Sequence, residues 1–483
     1  MKKTVLFLLF GLLVVLVSCN NANNGLYPAN ITVEDGIFTC DTYDQAMAYE
    51  INLTSNSIDL TYEVANQFDL NYLVLNGSYT FRVRAVLENG VYSEYSKEMN
   101  IEITDSLKKN ILTGESLHDE AYMEIHGRTL YDETSEAQML YYTASGFEVS
   151  FYGTSLDLIL TSDNATDKNK QAYISVVIDD SCAPYEGTTY TLTQSELLLY
   201  IADELDEGFH TASFYKVNES LDNNIGIKRV KTDGFFVDPK DDEEQLNIQY
   251  IGASTTTGYG DLATSPTASK TSANSNGLLA FTSLSAYMLN ANWSITSASG
   301  WGISRGWNTN GALNASLNIP SAFDYVAINS NGQVLDTLWN QEQFVPDIYV
   351  INLGSNDFNT SNYSNLSETE KASFEQTFVN DYKAFILKLH TYAPDAIIII
   401  TYGILSKLEV VETLTLEAAQ QARTEFTNIF TLELMTGSDF DYPYGANYHP
   451  NILTHLEAAK DLASLMSQLT GQPIVHDDIV LSN

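Results

Sequence analysis

Cysteine is scarce, with three in 483 residues. Cys19 lies in the N-terminal segment, and Cys40 and Cys182 fall in what the patterning below assigns to separate domains. No disulfide framework is therefore expected. Basic residues are also scarce: 23 Lys and Arg stand against 62 Asp and Glu, a net charge of −39. A chain this acidic does not neutralise phosphates, which excludes nucleic acid as a partner. Histidine occurs seven times. His449 and His455 are spaced too widely for the usual helical metal pair and no cysteine joins them, so neither a metal nor a cofactor is indicated. Past the N-terminus no apolar run is long enough to span a bilayer, and Ile397–Ile400 reads as a core strand. Disorder is excluded as well, because 44% of the residues are hydrophobic, with 30 Tyr and 21 Phe.

What is present begins with a leader. Lys2-Lys3 precedes the apolar segment Val5 to Val17, which closes on Leu16-Val17-Ser18-Cys19. This is too short for an ordinary spanning helix and reads as a cleaved signal over residues 1–18. Leu-Val-Ser-Cys resembles the bacterial lipobox. That resemblance implies lipidation of Cys19 and a lipoprotein held at the outer face of the cell membrane by its anchor alone. The plainer alternative is a signal peptide with an incidental cysteine. Residues 19–26 form a polar tether.

The rest is too long for one domain. Over 27–105 the pattern has period two: Tyr49, Ile51 and Leu53, then Tyr79, Phe81, Val83 and Ala85, with turns at Asn76-Gly77 and Asn89-Gly90. A small β-sandwich is expected, and residues 77–96 resemble a fibronectin type III module. Over 106–240 the alternation continues in Phe147, Val149 and Phe151 and in Leu156, Leu158 and Leu160. A second sandwich, of jelly-roll type, is expected. An acidic stretch at Asp238–Glu244 marks a boundary. Over 241–483 strands alternate with helices. Expected strands are Leu246–Gly252, Trp293–Ser297, Asp347–Leu353 and Ala396–Tyr402. A helix starts at Ser367 with Glu370 completing a capping box, and the last helix follows Pro450. This reads as a doubly wound α/β domain with a flavodoxin-like parallel sheet.

Four motifs in that domain carry chemistry. Gly252-Ala253-Ser254 ends the first strand, where open α/β sheets place their ligands. Ser299-Gly300-Trp301-Gly302 follows the second, and its glycines let the backbone approach a ligand. Gly354-Ser355-Asn356-Asp357 follows the buried run 347–353. His449 sits between a loop and Pro450 at the entrance to the last helix. Each alone is an ordinary polar turn, a loop or a structural histidine. His455, within that helix, reads as packing.

In this order Ser, Gly, Asn and His resemble the four blocks of the SGNH (GDSL-type) hydrolases. Residues 248–260, 299–302 and 339–358, with His449-Pro450 and His455, resemble carbohydrate esterase family 2, in which a jelly roll precedes the hydrolase domain. The resemblance implies a serine esterase that deacetylates O-acetylated polysaccharides or oligosaccharides of xylan or mannan type. It implies Ser254 as nucleophile, His449 as general base, and an oxyanion hole of the Ser254 and Gly300 N–H groups with the Asn356 side chain. Trp301, Trp307 and Asp357 are candidate substrate contacts, with core packing the alternative for the tryptophans. Two carboxylates of the wider pattern are missing, at Ala253 and Ala446. A backbone carbonyl near Ala446 is the expected orienting group for His449, with Asp439 or Asp441 as substitutes. A sugar-binding lipoprotein with a weakened site is the competing reading.

Overall fold

The structure, a computed structural model, describes residues 26–56, 58–118, 122–238, 245–307, 313–358 and 363–481. Cys19, the leader, and most of the acidic stretch 238–244 lie outside the described residues. The chain divides into two compact units, residues 1–111 with 232–236, and residues 112–231 with 237–483.

In the first unit the period-two runs become an antiparallel four-stranded sheet, ordered Asp59–Val64, Ala46–Thr54, Gly77–Leu87, Met99–Ile103. Register places Leu53 against Phe81 and Ile51 against Val83, and all four are fully buried. The alternate positions line the opposite face of the sheet, where Glu50 pairs with Arg84 at 2.6 Å and Arg84 lies 3.9 Å over the Tyr92 ring. A three-stranded sheet, Thr32–Glu34, Ile37–Thr39 and Gln67–Asp69, completes the unit.

The second unit opens with two β-sheets. One runs Thr129–Asp132, Ala137–Leu140, Ile225–Thr232, Leu156–Ser162, Glu196–Ala202; the other contains Thr188–Leu192, Ala172–Ile178, Gly208–Lys216 and Gly146–Gly153 in that order. The predicted alternation holds: Phe147, Val149 and Phe151 are fully buried, and Phe147 stacks on its cross-strand partner Phe214 at 4.5 Å.

These sheets share a core with the α/β part. Tyr215 and Val217 belong to the same apolar cluster as Ile248 and Tyr250, and Trp293 Nε1 donates to the Ala144 carbonyl at 3.0 Å. The α/β sheet has five parallel strands: β1 (Asn247–Gly252), β2 (Asn292–Ser297), β3 (Ile348–Asn352), β4 (Ile397–Tyr402) and β5 (Ile429–Glu433), ordered β2-β1-β3-β4-β5. Among the described residues the helices that flank it include α1 (Phe281–Met288), α2 (Glu368–Tyr392), α3 (Glu409–Ala422) and α4 (Ile452–Thr470). The strands are apolar on both faces because both are covered. Ile248, Tyr250 and Val350 pack with α1 and α4, while Ile251, Tyr349 and Ile351 pack with α2 and α3.

Helix α2 begins as predicted, with Ser367 as N-cap and Glu370 returning to the Ser367 N–H at 2.8 Å. Helix α4 follows Pro450 as expected, but Pro450 is not in its first turn: Asn451 is the N-cap, its side chain accepting from the Thr454 N–H at 3.1 Å, and the helix starts at Ile452. The strand order reverses between β1 and β3, which opens a crevice at their carboxyl ends.

Candidate active site

Gly252 closes β1, and a Cβ there would collide with the Thr256 side chain. The chain then makes a tight 3-10 turn, Ser254–Thr257, ended by Gly258 at φ +68°. Ser254 heads that turn at the edge of the crevice. His449 arrives from the other side, on the loop before α4. Its Nε2 lies 2.9 Å from Ser254 Oγ, across 195 residues of sequence. This is the contact a serine nucleophile needs to pass its proton to a base.

The other edge of the ring is held by backbone. His449 Nδ1 lies 3.2 Å from the Asn447 carbonyl oxygen, so Nδ1 carries the proton and Nε2 is left as acceptor. The expectation of a carbonyl near Ala446 is met one residue further on, since Ala446 O instead accepts the His449 backbone N–H at 3.0 Å. Asn447 and Tyr448 both adopt left-handed backbone, at φ +51° and +60°, which turns the Asn447 carbonyl back toward the ring. Neither substitute acid takes that place: Asp439 accepts from the Thr436 N–H at 2.8 Å and pairs with Lys407 at 3.2 Å, and Asp441 is exposed. Tyr259 covers the imidazole, ring to ring at 4.2 Å, and its hydroxyl accepts from Asn447 Nδ2 at 3.1 Å. Burial pulls the His449 pKa down to about 4, against the opposing pull of the Asn447 carbonyl and the Glu219 carboxylate. The ring is thus a neutral base at ordinary pH.

Gly300 adopts φ +82°, and a Cβ there would press on the Trp307 carbonyl at 2.9 Å. Among the described residues, the Gly300 and Ser254 N–H groups have no acceptor within the protein. Asn356 follows β3, its Nδ2 donating to the Trp301 carbonyl at 2.8 Å, which leaves a second N–H on the same nitrogen. Gly300 and Asn356 follow β2 and β3, the two strands that flank β1, and so belong to the same carboxyl edge of the sheet as Ser254.

Two candidate substrate contacts are placed elsewhere. Trp301 is 3% exposed and belongs to the core beneath the sheet, so its ring has no face for a ligand. Asp357 is fully buried. Its carboxylate accepts the Ile303, Ser304 and Arg305 N–H groups at 3.0, 2.8 and 3.1 Å and so braces the loop that carries Gly300. Trp307 does reach solvent, 38% exposed, with its N–H donating to the Gly300 carbonyl at 2.7 Å. His455 is buried packing, as read, and its Nδ1 also accepts the Phe281 N–H at 3.2 Å, at the start of α1. Tyr259, Asn447, Glu219 and Lys270 were not singled out in the sequence. The first two act through a ring face and a backbone carbonyl, which leave no motif.

Among the described residues no cluster of His, Cys, Asp or Glu is suited to a metal ion. No described helix is long and apolar enough to cross a membrane.

Residues 248–462 match the family GDSL-like Lipase/Acylhydrolase, and residues 125–239 match the family Carbohydrate esterase 2 N-terminal. An acetylxylan esterase / glucomannan deacetylase of Cellvibrio japonicus is 25% identical over 362 residues, covering 70% of this chain and 92% of that protein. The fold is also that of a family two carbohydrate esterase from Clostridium thermocellum, solved in complex with cellohexaose: TM-score 0.61 at 22% identity, over 72% of this chain and 99% of that one. An acetyl xylan esterase from the rumen bacterium Butyrivibrio proteoclasticus gives TM-score 0.64 at 20% identity, over 76% and 100%. The described Ser254–His449 pair therefore lies within the residues that match the GDSL-like Lipase/Acylhydrolase family, and the residues that match the Carbohydrate esterase 2 N-terminal family precede them.

Proposed function

We propose that the protein is a serine esterase that removes acetyl groups from O-acetylated polysaccharides or oligosaccharides of xylan or mannan type. The observation that carries this reading is the 2.9 Å contact of Ser254 Oγ with a neutral His449. Ser254 attacks the acetyl carbonyl while His449 Nε2 takes its proton. The tetrahedral oxyanion is received by the Ser254 and Gly300 N–H groups and the Asn356 amide. His449 returns the proton to the departing sugar hydroxyl, leaving acetyl on Ser254. Water, deprotonated by His449, then releases acetate. Each oxyanion donor contributes roughly 10²–10³ in rate. The relatives, an acetylxylan esterase / glucomannan deacetylase and a carbohydrate esterase solved with cellohexaose, support a polysaccharide ester, and Trp307 offers a ring face for a sugar near Gly300.

Our reading of the remaining chain is a lipoprotein anchored through Cys19 at the outer face of the cell membrane, with a fibronectin type III-like module ahead of a jelly roll. Metabolic labelling with a fatty-acid probe tests the anchor: Cys19→Ser abolishes labelling if it is right.

The activity is tested by reaction with a fluorophosphonate probe and by acetate release from a panel of acetylated polysaccharides. Labelling and release that vanish in Ser254→Ala support the esterase. An unlabelled wild type that still binds oligosaccharide replaces it with a sugar-binding protein.

A further inference from the structure

The β-sheet region that precedes the hydrolase domain reaches the site through one buried polar loop. Strand Gly208–Lys216 ends at Lys216, and residues Asn218, Glu219 and Ser220 beyond it are buried although polar. The Lys216 ammonium donates to the Asn218 carbonyl and, at 3.2 Å, to that of Glu219. Asn218 Nδ2 donates to the Ser272 and Ser275 carbonyls at 2.9 and 3.1 Å. The loop is thereby tied into the α/β domain, and the Glu219 side chain is set in place. Its carboxylate, 3% exposed, accepts the Ser299 N–H at 3.1 Å through one oxygen and pairs with Lys270 at 3.0 Å through the other. Lys270 also pairs with Asp222.

Ser299 immediately precedes Gly300. Its N–H is anchored to Glu219 while the Gly300 carbonyl is anchored to the Trp307 N–H, so the Gly300 amide between them is held from both sides. The same network touches the base. The Lys270 ammonium lies 5.3 Å from the centroid of the Tyr259 ring, which also lies against His449. Burial raises a carboxyl pKa, but Lys270 and Ser299 outweigh it and keep Glu219 below the usual range, hence charged. A buried ion pair is a poor source of stability compared with apolar packing. Its placement behind a donor loop points to function.

We propose that Glu219 is a positioning residue for acyl transfer: it fixes the Ser299–Gly300 turn so that the Gly300 N–H meets the oxyanion, and its charge favours the His449 imidazolium formed in the same step. The carbohydrate esterase 2 N-terminal domain is then part of the catalytic apparatus. It supplies a carboxylate from outside the hydrolase domain, where Ala253 and Ala446 supply none. This inference rests on the esterase reading above.

The charged and titratable groups around His449 are Glu219, which favours its protonated form, Lys270, which opposes it, His455 and the Tyr259 hydroxyl. Steady-state kinetics on 4-nitrophenyl acetate across about pH 4 to 8 compare wild type, Glu219→Gln and Glu219→Ala. Glu219→Ala is expected to lose on the order of 10²-fold in kcat with little change in KM. Glu219→Gln keeps an acceptor for the Ser299 N–H, leaves Lys270 paired with Asp222, and loses less. In both variants the acid limb of kcat/KM moves to lower pH, because a charge that favoured the imidazolium is gone. Kinetics and acid limb equal to wild type in either folded variant overturn the proposal, as does a loss confined to KM. Amide exchange on the wild-type chain needs no variant: a slowly exchanging Ser299 N–H supports the anchor and an unprotected one overturns it. A wild type inert toward acetyl esters removes the esterase reading and this proposal together. An active wild type with unaffected variants removes this proposal alone.

Discussion

His449 Nδ1 faces the carbonyl oxygen of Asn447 at 3.2 Å, and a backbone dipole thus occupies the position where many serine hydrolases have a carboxylate. A carbonyl is a weaker partner for an imidazolium than an ionised acid, so its aim matters more. That aim depends on left-handed backbone at Asn447, a conformation asparagine tolerates and β-branched residues resist.

Asn447→Val is therefore expected to cost activity through backbone strain of about 1–3 kcal/mol. If the loop relaxes to relieve it, kcat falls by roughly 10-fold or more, since control of the histidine tautomer is lost. Asn447→Gly accepts φ +51° freely and loses only the amide bond to Tyr259, so its loss is smaller. Steady-state kinetics with KM and kcat separated check the order glycine above valine.

The pH profile follows from burial of the base. His449 works as neutral imidazole, and burial pulls its pKa to about 4. The half-buried ring leaves some solvent screening, so the acid limb of kcat/KM is expected between the ordinary ~6.5 and 4, with activity persisting in mildly acidic buffer. Stability moves in the same direction. Below about pH 6.5 the unfolded histidine binds a proton that the folded one refuses. The stability carried by neutral His449 and by buried His455, whose pKa falls to about 3, is full above that value and is lost as pH decreases toward the folded values. Thermal melts in parallel with the rate profile check both.

Asp357 is expected to hold the donor loop together. Its carboxylate accepts three consecutive backbone N–H groups, and removing it leaves the buried Ile303 N–H and the part-buried Ser304 and Arg305 N–H groups without this partner. At about 1–3 kcal/mol for a buried unsatisfied donor, with smaller losses at the two part-buried ones, Asp357→Ala loses about 2–3 kcal/mol, a drop in Tm of roughly 4–12 °C. Asp357→Asn keeps one acceptor oxygen and loses less. Calorimetry decides: an Asp357→Ala melting temperature equal to wild type removes this role.

The four motif residues were legible because they sit at punctuation. Ser254 and Asn356 follow apolar strands, Gly300 lies in a glycine turn, and His449 precedes a proline. Partners that act through backbone or across long separations were not. Asn447 contributes a carbonyl, which any residue has. Glu219 meets Ser299 across 80 residues, and in sequence its loop looks like one more solvated acidic turn in an acidic chain. Helix α3 and strand β5 went unread for a related reason: Ile429–Glu433 is short and only partly buried, so its pattern is faint. Trp301 and Trp307 are equivalent in sequence, and only packing separates a core ring from an exposed one.

That separation gives opposite expectations for the two tryptophans. Trp307 sits on the short strand Gly306–Trp307, tied to the Gly300 carbonyl, with part of its ring open to solvent. A sugar stacked there gains about 0.5–1.5 kcal/mol, so Trp307→Ala should raise KM for an acetylated oligosaccharide by roughly 2- to 10-fold. 4-Nitrophenyl acetate is too small to span the acyl site and this ring together, and its kcat/KM should stay within about twofold. Equal losses on both substrates would mean that the ring only braces the Gly300 turn. Trp301→Ala, in contrast, opens a cavity in the core and is expected to lower stability by about 3–5 kcal/mol. Its activity loss should follow the unfolded fraction, independent of substrate length.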